Sequence, residues 1–193
     1  MKIGVLALQG NFSLHADRLE ELDVQAVYIK KPEQLRECDG LILPGGESTT
    51  LVKLLDEVSL GEAIVEFNKE RPVFGTCAGA ILVSREVQNH PVKPLNLLNT
   101  VISRNAYGRQ VDSFDQIVEL KLGEKTVQSS AVFIRAPKFI STGPDVAVLG
   151  THNGDIIMVE NERVLAATFH PELTDDPTVH RYFLKKVRSF SQH

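Results

Sequence analysis

Only two cysteines, Cys38 and Cys77, occur in the 193 residues. Two thiols cannot build a disulfide framework, so a hydrophobic core must hold the fold and a reducing cytosol is the expected compartment. Basic residues are not in excess: 21 Lys and Arg stand against 25 Asp and Glu, for a formal net charge of −4. That balance argues against a general binder of nucleic acid or of an anionic membrane. No apolar run approaches the length of a membrane span. Residues Met1 to Leu8 are ended by Gln9-Gly10 too soon for a secretory signal and read instead as a first buried strand. The metal-ligand spacings His-x-x-x-His and Cys-x-x-Cys are absent, so neither a metal nor another cofactor is expected. Repeats, low-complexity tracts and linkers are missing too. With 42% hydrophobic and 24% charged residues, the expectation is one globular domain over residues 1–193.

What is present is an alternation. Ile3 to Leu8, Val24 to Ile29, Gly40 to Leu43 and Val73 to Thr76 read as buried strands. Between them, Phe12 to Leu22, Ser48 to Val58 and Leu60 to Asn68 carry apolar residues at helical spacing, and Pro32 opens a short turn or helix. Strands that are apolar nearly throughout, alternating with helices, indicate a parallel sheet covered on both faces. The second half is richer in strands: Leu98 to Ser103, Gln116 to Leu122, Val127 to Ile134, Val146 to Leu149, Ile156 to Val159 and Val164 to Phe169. Asn153-Gly154 is a strong hairpin signal. A last helix should run from about Asp176 to Phe190. The fold class is therefore α/β in three layers, α/β/α, with a mostly parallel central sheet and additional antiparallel strands in the second half. In such sheets ligands bind beyond the carboxyl ends of the strands. Gln9-Gly10, Pro44 to Ser48 and Cys77 to Gly79 should meet there.

Gly75-Thr76-Cys77-Ala78-Gly79 follows an apolar strand and opens an Ala-rich helix, the pattern of a nucleophile elbow with Cys in the reactive position. A thiol there meets backbone N–H groups and the helix dipole, which favour thiolate. The other reading is a buried Cys in a small-residue turn. A Cys nucleophile needs a base and the base an orienting group. Of the histidines His15, His90, His152, His170, His180 and His193, only His170 ends a strand and opens His-Pro-Glu. In an extended segment His170 and Glu172 would share a side, so that Glu172 could hold one ring nitrogen and turn the other toward the thiol. Alone, the same three residues make an ordinary surface turn. Pro44 to Ser48 reads either as a strand stop with Ser48 capping the next helix, or as a source of free backbone N–H groups for an oxyanion. Gly46 and Ala78 would supply the two donors. The loop lacks the Lys-Ser/Thr ending of a P-loop. Arg104 and Arg135 each follow an apolar strand and would suit either a carboxylate clamp or a surface ion pair. Cys38, between Glu37 and Asp39, reads as structural.

Several blocks together resemble the class I, triad-type glutamine amidotransferases, and within them the glutaminase subunits of pyridoxal 5′-phosphate synthase. They are Leu8 to Gly10, Leu41 to Thr50, Phe74 to Gly79, Arg104 to Phe114, Val132 to Pro137 and Thr168 to Thr174. The elbow and His-x-Glu belong to the whole class, whereas Pro44 to Thr50 and Arg104 to Gln110 point to the vitamin B6 branch. The resemblance implies a flavodoxin-like glutaminase fold. It also implies hydrolysis of L-glutamine to glutamate and ammonia by Cys77, His170 and Glu172 through a glutamyl thioester. Gly46 and Ala78 would hold the oxyanion, and Gly46, Glu47, Ser48, Arg104, Ile134 and Arg135 would contact glutamine. Ammonia would pass to a separate synthase subunit in a large hetero-oligomeric complex, and the glutaminase would work poorly until docked. Leu14 stands where the family usually has an acid, Asn11 where a small or acidic residue is common, and Ala80 where a larger apolar one is usual. Two other readings remain. One is another Cys-dependent α/β hydrolase, against which stands the order of the acid after the His. The other is a non-catalytic regulatory subunit of the same fold.

Overall fold

A computed structural model describes residues 1–104 and 113–190. Most of the Arg104 to Phe114 block, residues 105–112, and the terminal His193 lie outside the described residues. In chain order the described elements begin with β1 (Lys2–Leu6), α1 (Phe12–Glu20), β2 (Gln25–Ile29), a 3-10 turn at Pro32–Glu37 and β3 (Gly40–Leu43). Then come α2 (Ser48–Glu57), α3 (Leu60–Asn68), β4 (Val73–Thr76), α4 (Ala78–Val83), β5 (Ser84–Val87) and β6 (Leu98–Ser103). The remainder is β7 (Ser113–Leu122), β8 (Lys125–Ile134), β9 (Lys138–Thr142), β10 (Ala147–His152), β11 (Asp155–Glu160), β12 (Val164–Ala167), a 3-10 turn at Pro171–Leu173 and α5 (Thr178–Phe190).

The sheet runs β2-β1-β3-β4-β12-β11-β10-β7-β8. From β2 to β12 every pairing is parallel, and from β12 to β8 every pairing is antiparallel. A branch formed by β5, β6 and β9 joins β11 through β9. All residues of β3, β4 and β12 are buried, as expected of parallel strands covered on both faces. One face packs α2, α3 and α4 through Leu51, Leu55, Ile64, Phe67 and Leu82 against Leu6, Leu41, Leu43 and Val73. The other packs α1 and α5 through Leu19, Val179, Phe183 and Val187 against Ile3, Val5, Ile42, Phe74 and Leu165. Each such side chain contributes about 1.5–3 kcal/mol by leaving water, so the three layers follow directly from the two apolar faces of the sheet. Among the described residues no helix is long and apolar enough to cross a membrane.

Two strands were not expected. β5 has exposed Arg85 and Glu86 at its centre and β9 has exposed Ile140 and Ser141, so neither carries an apolar alternation. Their neighbours supply the pairing instead: β5 lies parallel to β6, and β9 antiparallel to it. β7 and β8 start earlier than their apolar residues suggested, because the ladder continues to Ser113 opposite Ile134 and Leu122 opposite Lys125. The Asn153-Gly154 hairpin forms as expected, both residues at positive φ (51° and 84°). α5 begins at Thr178 rather than Asp176. Asp176 instead receives the Thr178 backbone N–H (3.0 Å) and ties the helix start to Ser129 and Ser130 of β8 (2.8 and 2.9 Å).

Candidate active site

β4 and β12 lie side by side in parallel, with Thr76 opposite Ala167. Their carboxyl ends therefore deliver Cys77 and, three residues past Ala167, His170 to one place. Cys77 sits on the turn into α4 with φ 49° and ψ −104°, a strained conformation for a residue with a side chain, costing on the order of 1–3 kcal/mol. Its backbone N–H is anchored to the Ala167 carbonyl (2.9 Å). The flanking glycines are steric requirements: a Cβ on Gly79 would overlap the Leu43 carbonyl, and one on Gly75 would strike the Gly79 backbone. Cys38, by contrast, is 1% exposed, and burial above all pushes its thiol up to about 11.

His170 is fixed by its backbone N–H on the Val132 carbonyl (2.8 Å). The segment is not extended after it, as the sequence suggested; Pro171 turns it into a single 3-10 turn. The turn still brings Glu172 back, and His170 Nδ1 lies 2.7 Å from Glu172 Oε1. The ring and Cys77 line the same cavity, both lying against Gly45. Burial works against charge on His170, but the Cys77 and Glu172 contacts outweigh it and raise the imidazole well above its ordinary range. Burial likewise opposes charge on Glu172, yet His15 and His170 together bring its carboxyl down to about 2.

Three residues behind this chain were given no role from sequence. Asn11, at the N-cap position of α1, makes no side-chain cap bond; its Nδ2 donates instead to Glu172 Oε1 (3.3 Å). His15 and His180 are both fully buried, His15 Nδ1 lying 3.0 Å from His180 Nε2. The signal was available: His15 lies on the apolar face of Phe12, Ala16 and Leu19, and His180 on that of Phe183, Leu184 and Val187. Burial holds both rings neutral, His15 below its ordinary range and His180 down to about 3.

The sign of the pH dependence follows. Both rings and Glu172 bind protons more readily unfolded, so their contribution is complete above about pH 6.5. It is lost for His180 as pH falls from 6.5 toward 3, for His15 as pH falls below 6.5, and for Glu172 from 4.5 toward 2. Urea denaturation across pH 7 to 4.5 should show stability falling by up to about 1.4 kcal/mol per pH unit from His180, with His15 adding in the same direction. His180→Leu should flatten that slope; an unchanged slope would remove His180 from its origin.

A cavity of about 340 Å³ opens over Cys77, within the range of small-ligand sites. The three loops expected to converge do so: Gln9 and Gly10, Gly45 to Ser48, and Cys77 with Ala78 line it, together with Arg104, Ile134, Arg135 and His170. Glu172 is not part of its lining and lies behind His170. Gly45 passes so close to the His170 ring that a Cβ there would come within 2.5 Å of Cε1. Ser48 does not cap α2. Glu47 does, accepting from Thr49 N–H (3.0 Å) and Thr50 N–H (2.7 Å), and these bonds overcome burial to bring its carboxyl to about 2. Ser48 is buried, its hydroxyl without a partner among the described residues. Arg104 reaches Glu47 Oε1 (2.9 Å) and Thr49 Oγ1 (3.0 Å), and Arg135, at φ 43°, turns off the end of β8. Gln9 Oε1 accepts from the Glu47 backbone N–H (2.9 Å), joining the first loop to the second.

The sequence pattern of the SNO glutamine amidotransferase family matches residues 5–189. The chain belongs to this family. It is 48% identical over 189 residues to the pyridoxal 5′-phosphate synthase subunit PdxT of Thermotoga petrophila, covering 97% of this chain and 100% of that one. It is 49% identical, again over 189 residues, to the PdxT subunit of Thermosipho africanus, with the same coverage. A solved crystal structure described as a glutamine amidotransferase superimposes with a TM-score of 0.91 at 42% identity, covering 96% of this chain and 98% of that one. As in a glutamine amidotransferase, the fold is α/β, with helices on both faces of a sheet that is parallel through its centre.

Proposed function

We propose that this chain is the glutaminase subunit of a pyridoxal 5′-phosphate synthase, a single cytosolic domain over residues 1–193 that hydrolyses L-glutamine and hands ammonia to a synthase subunit. The observation that carries the reading is that Cys77 and His170, the latter held by Glu172, line one cavity together with Arg104 and Arg135. Family membership and full-length likeness to PdxT subunits support the same substrate and partner.

In this reading the Cys77 thiolate attacks the side-chain amide carbon of glutamine. Negative charge moves to the amide oxygen, where the N–H groups of Gly46 and Ala78 receive it. His170, an imidazolium held by Glu172, gives a proton to the departing nitrogen; the C–N bond breaks and ammonia leaves. Water then adds to the thioester, His170 takes its proton, and the C–S bond breaks to release glutamate and restore the thiolate. Arg104 and Arg135 supply the cations for the substrate carboxylate, with Glu47, Ser48 and Ile134 completing the pocket. Arg104 engages Glu47 and Thr49 without substrate.

The test is glutamate release from glutamine by the chain alone and with a synthase subunit of the same branch. Release should rise at least about tenfold on adding the partner, as when a partner completes a preformed site. No release in either state would end the proposal.

A further inference from the structure

Glu172 presents two oxygens, and the triad uses one. Oε1 receives His170 Nδ1–H and Asn11. Oε2 is buried without a full hydrogen bond, and His15 Nε2 stands 3.4 Å away. The same His15 nitrogen lies 3.1 Å from Thr76 Oγ1, on the residue just before the nucleophile. His15 Nδ1 meets His180 Nε2, and His180 Nδ1 is buried without a partner among the described residues.

These contacts select one arrangement of protons. If His15 carried its proton on Nδ1, a lone pair would face the Glu172 carboxylate, and His180 would keep a buried N–H with nothing to receive it. With the proton on Nε2, His15 donates toward Thr76 Oγ1 and Glu172 Oε2 and accepts from His180 Nε2–H. The only atom then left over is a bare acceptor, His180 Nδ1, which is cheaper to bury unpaired than a donor. The N–H groups of His180 and His15 then point toward the carboxylate from one side, and His170 Nδ1–H points into it from the other. The described residues contain no group of three or more His, Cys, Asp and Glu placed to hold a metal ion, so the cluster is not a metal site.

We propose that His15 is a positioning residue for the glutaminase reaction: its Nε2–H holds Glu172 Oε2 so that Oε1 faces His170, and His180 fixes the tautomer that allows this. The inference rests on the triad reading above. A glutamate has three side-chain torsions, and a carboxylate held at one oxygen can swing away from the imidazole. Held at both, it keeps the imidazole aimed at Cys77. His15 does not line the cavity, so its effect should fall on turnover and not on substrate binding.

Two substitutions of similar size separate positioning from packing. His15→Gln carries an amide N–H near the place of Nε2, whereas His15→Asn presents its amide near the place of Nδ1 and leaves Glu172 Oε2 without a donor. In the complex with a synthase subunit, His15→Asn should lower kcat about 10- to 100-fold with KM within about twofold, while His15→Gln should stay within about threefold of the wild type. His180→Leu should fall between them. Alkylation of Cys77 by iodoacetamide, which needs no glutamine, should follow the same order. Equal kcat losses in the Gln and Asn variants, or an unchanged kcat in the Asn variant, would overturn the proposal. Loss of glutamate release in every protein including wild type, with the alkylation order preserved, would instead fault the choice of substrate and leave His15 as the positioner of the thiol's base.

Discussion

Glutamate release by the Cys77→Ala variant, measured with a synthase subunit present, should fall to background, a loss of at least about 10⁴-fold. The size of the loss follows from the kind of group removed. His170 and Glu172 can move protons and the backbone donors can hold an oxyanion, but none of them can form the thioester, and water bound in its place is a far weaker nucleophile than a thiolate. The fold should be untouched. The methyl group of alanine occupies the position of the cysteine Cβ, the strained φ of 49° is unchanged, and the Ala167 carbonyl keeps its backbone donor. Circular dichroism and melting temperature should therefore match the wild type. Cys38 supplies the control, since it lies on the other thiol-bearing segment, buried beneath the turn Pro32–Glu37 and bonded to the Gln34 carbonyl. Retention of activity in Cys77→Ala would remove the thiol from the chemistry.

Glu172→Gln should cost about 10³- to 10⁴-fold in kcat with little change in KM, the range seen when the acid of a triad loses its charge. The replaced side chain has one carbonyl oxygen where the glutamate has two acceptors. If that oxygen receives His170 Nδ1–H, the amide N–H₂ faces the His15 Nε2–H, and two donors meet between fully buried side chains. If the amide turns over, the donors clash at His170 instead, and the ring must take the wrong tautomer. Either way the imidazolium loses the negative charge that holds it above its ordinary range. Glutamate release with saturating glutamine reads the effect, and a kcat within tenfold of wild type would show that Glu172 does not orient the base.

Much of this was legible along the chain because the interactions responsible are local. Apolar runs with small breakers located β3 and β4 to the residue, since a strand buried on both faces must be apolar throughout. The elbow was legible because a sharp strand-to-helix turn demands glycines at fixed offsets, and the observed overlaps at Gly75 and Gly79 are the reason. The loops at the carboxyl ends converge because parallel strands all point one way. β5 and β9 were not legible, since their strand character comes from partners far away in the chain and not from their own pattern.

The order of elements, the elbow at Cys77 and the pairing of His170 with Glu172 were thus determined by the sequence itself. Only the tertiary structure decided what stands behind Glu172. Asn11 stands just before the first helix and His15 within it, Thr76 comes from β4 and His180 from the last helix, the contacting pair His15 and His180 being 165 positions apart. In sequence each is one polar residue on an apolar stretch. Their meaning arises when α1 and α5 pack on the same face of the sheet and bury a carboxylate. There each buried polar atom needs a partner, and only the folded chain can supply it.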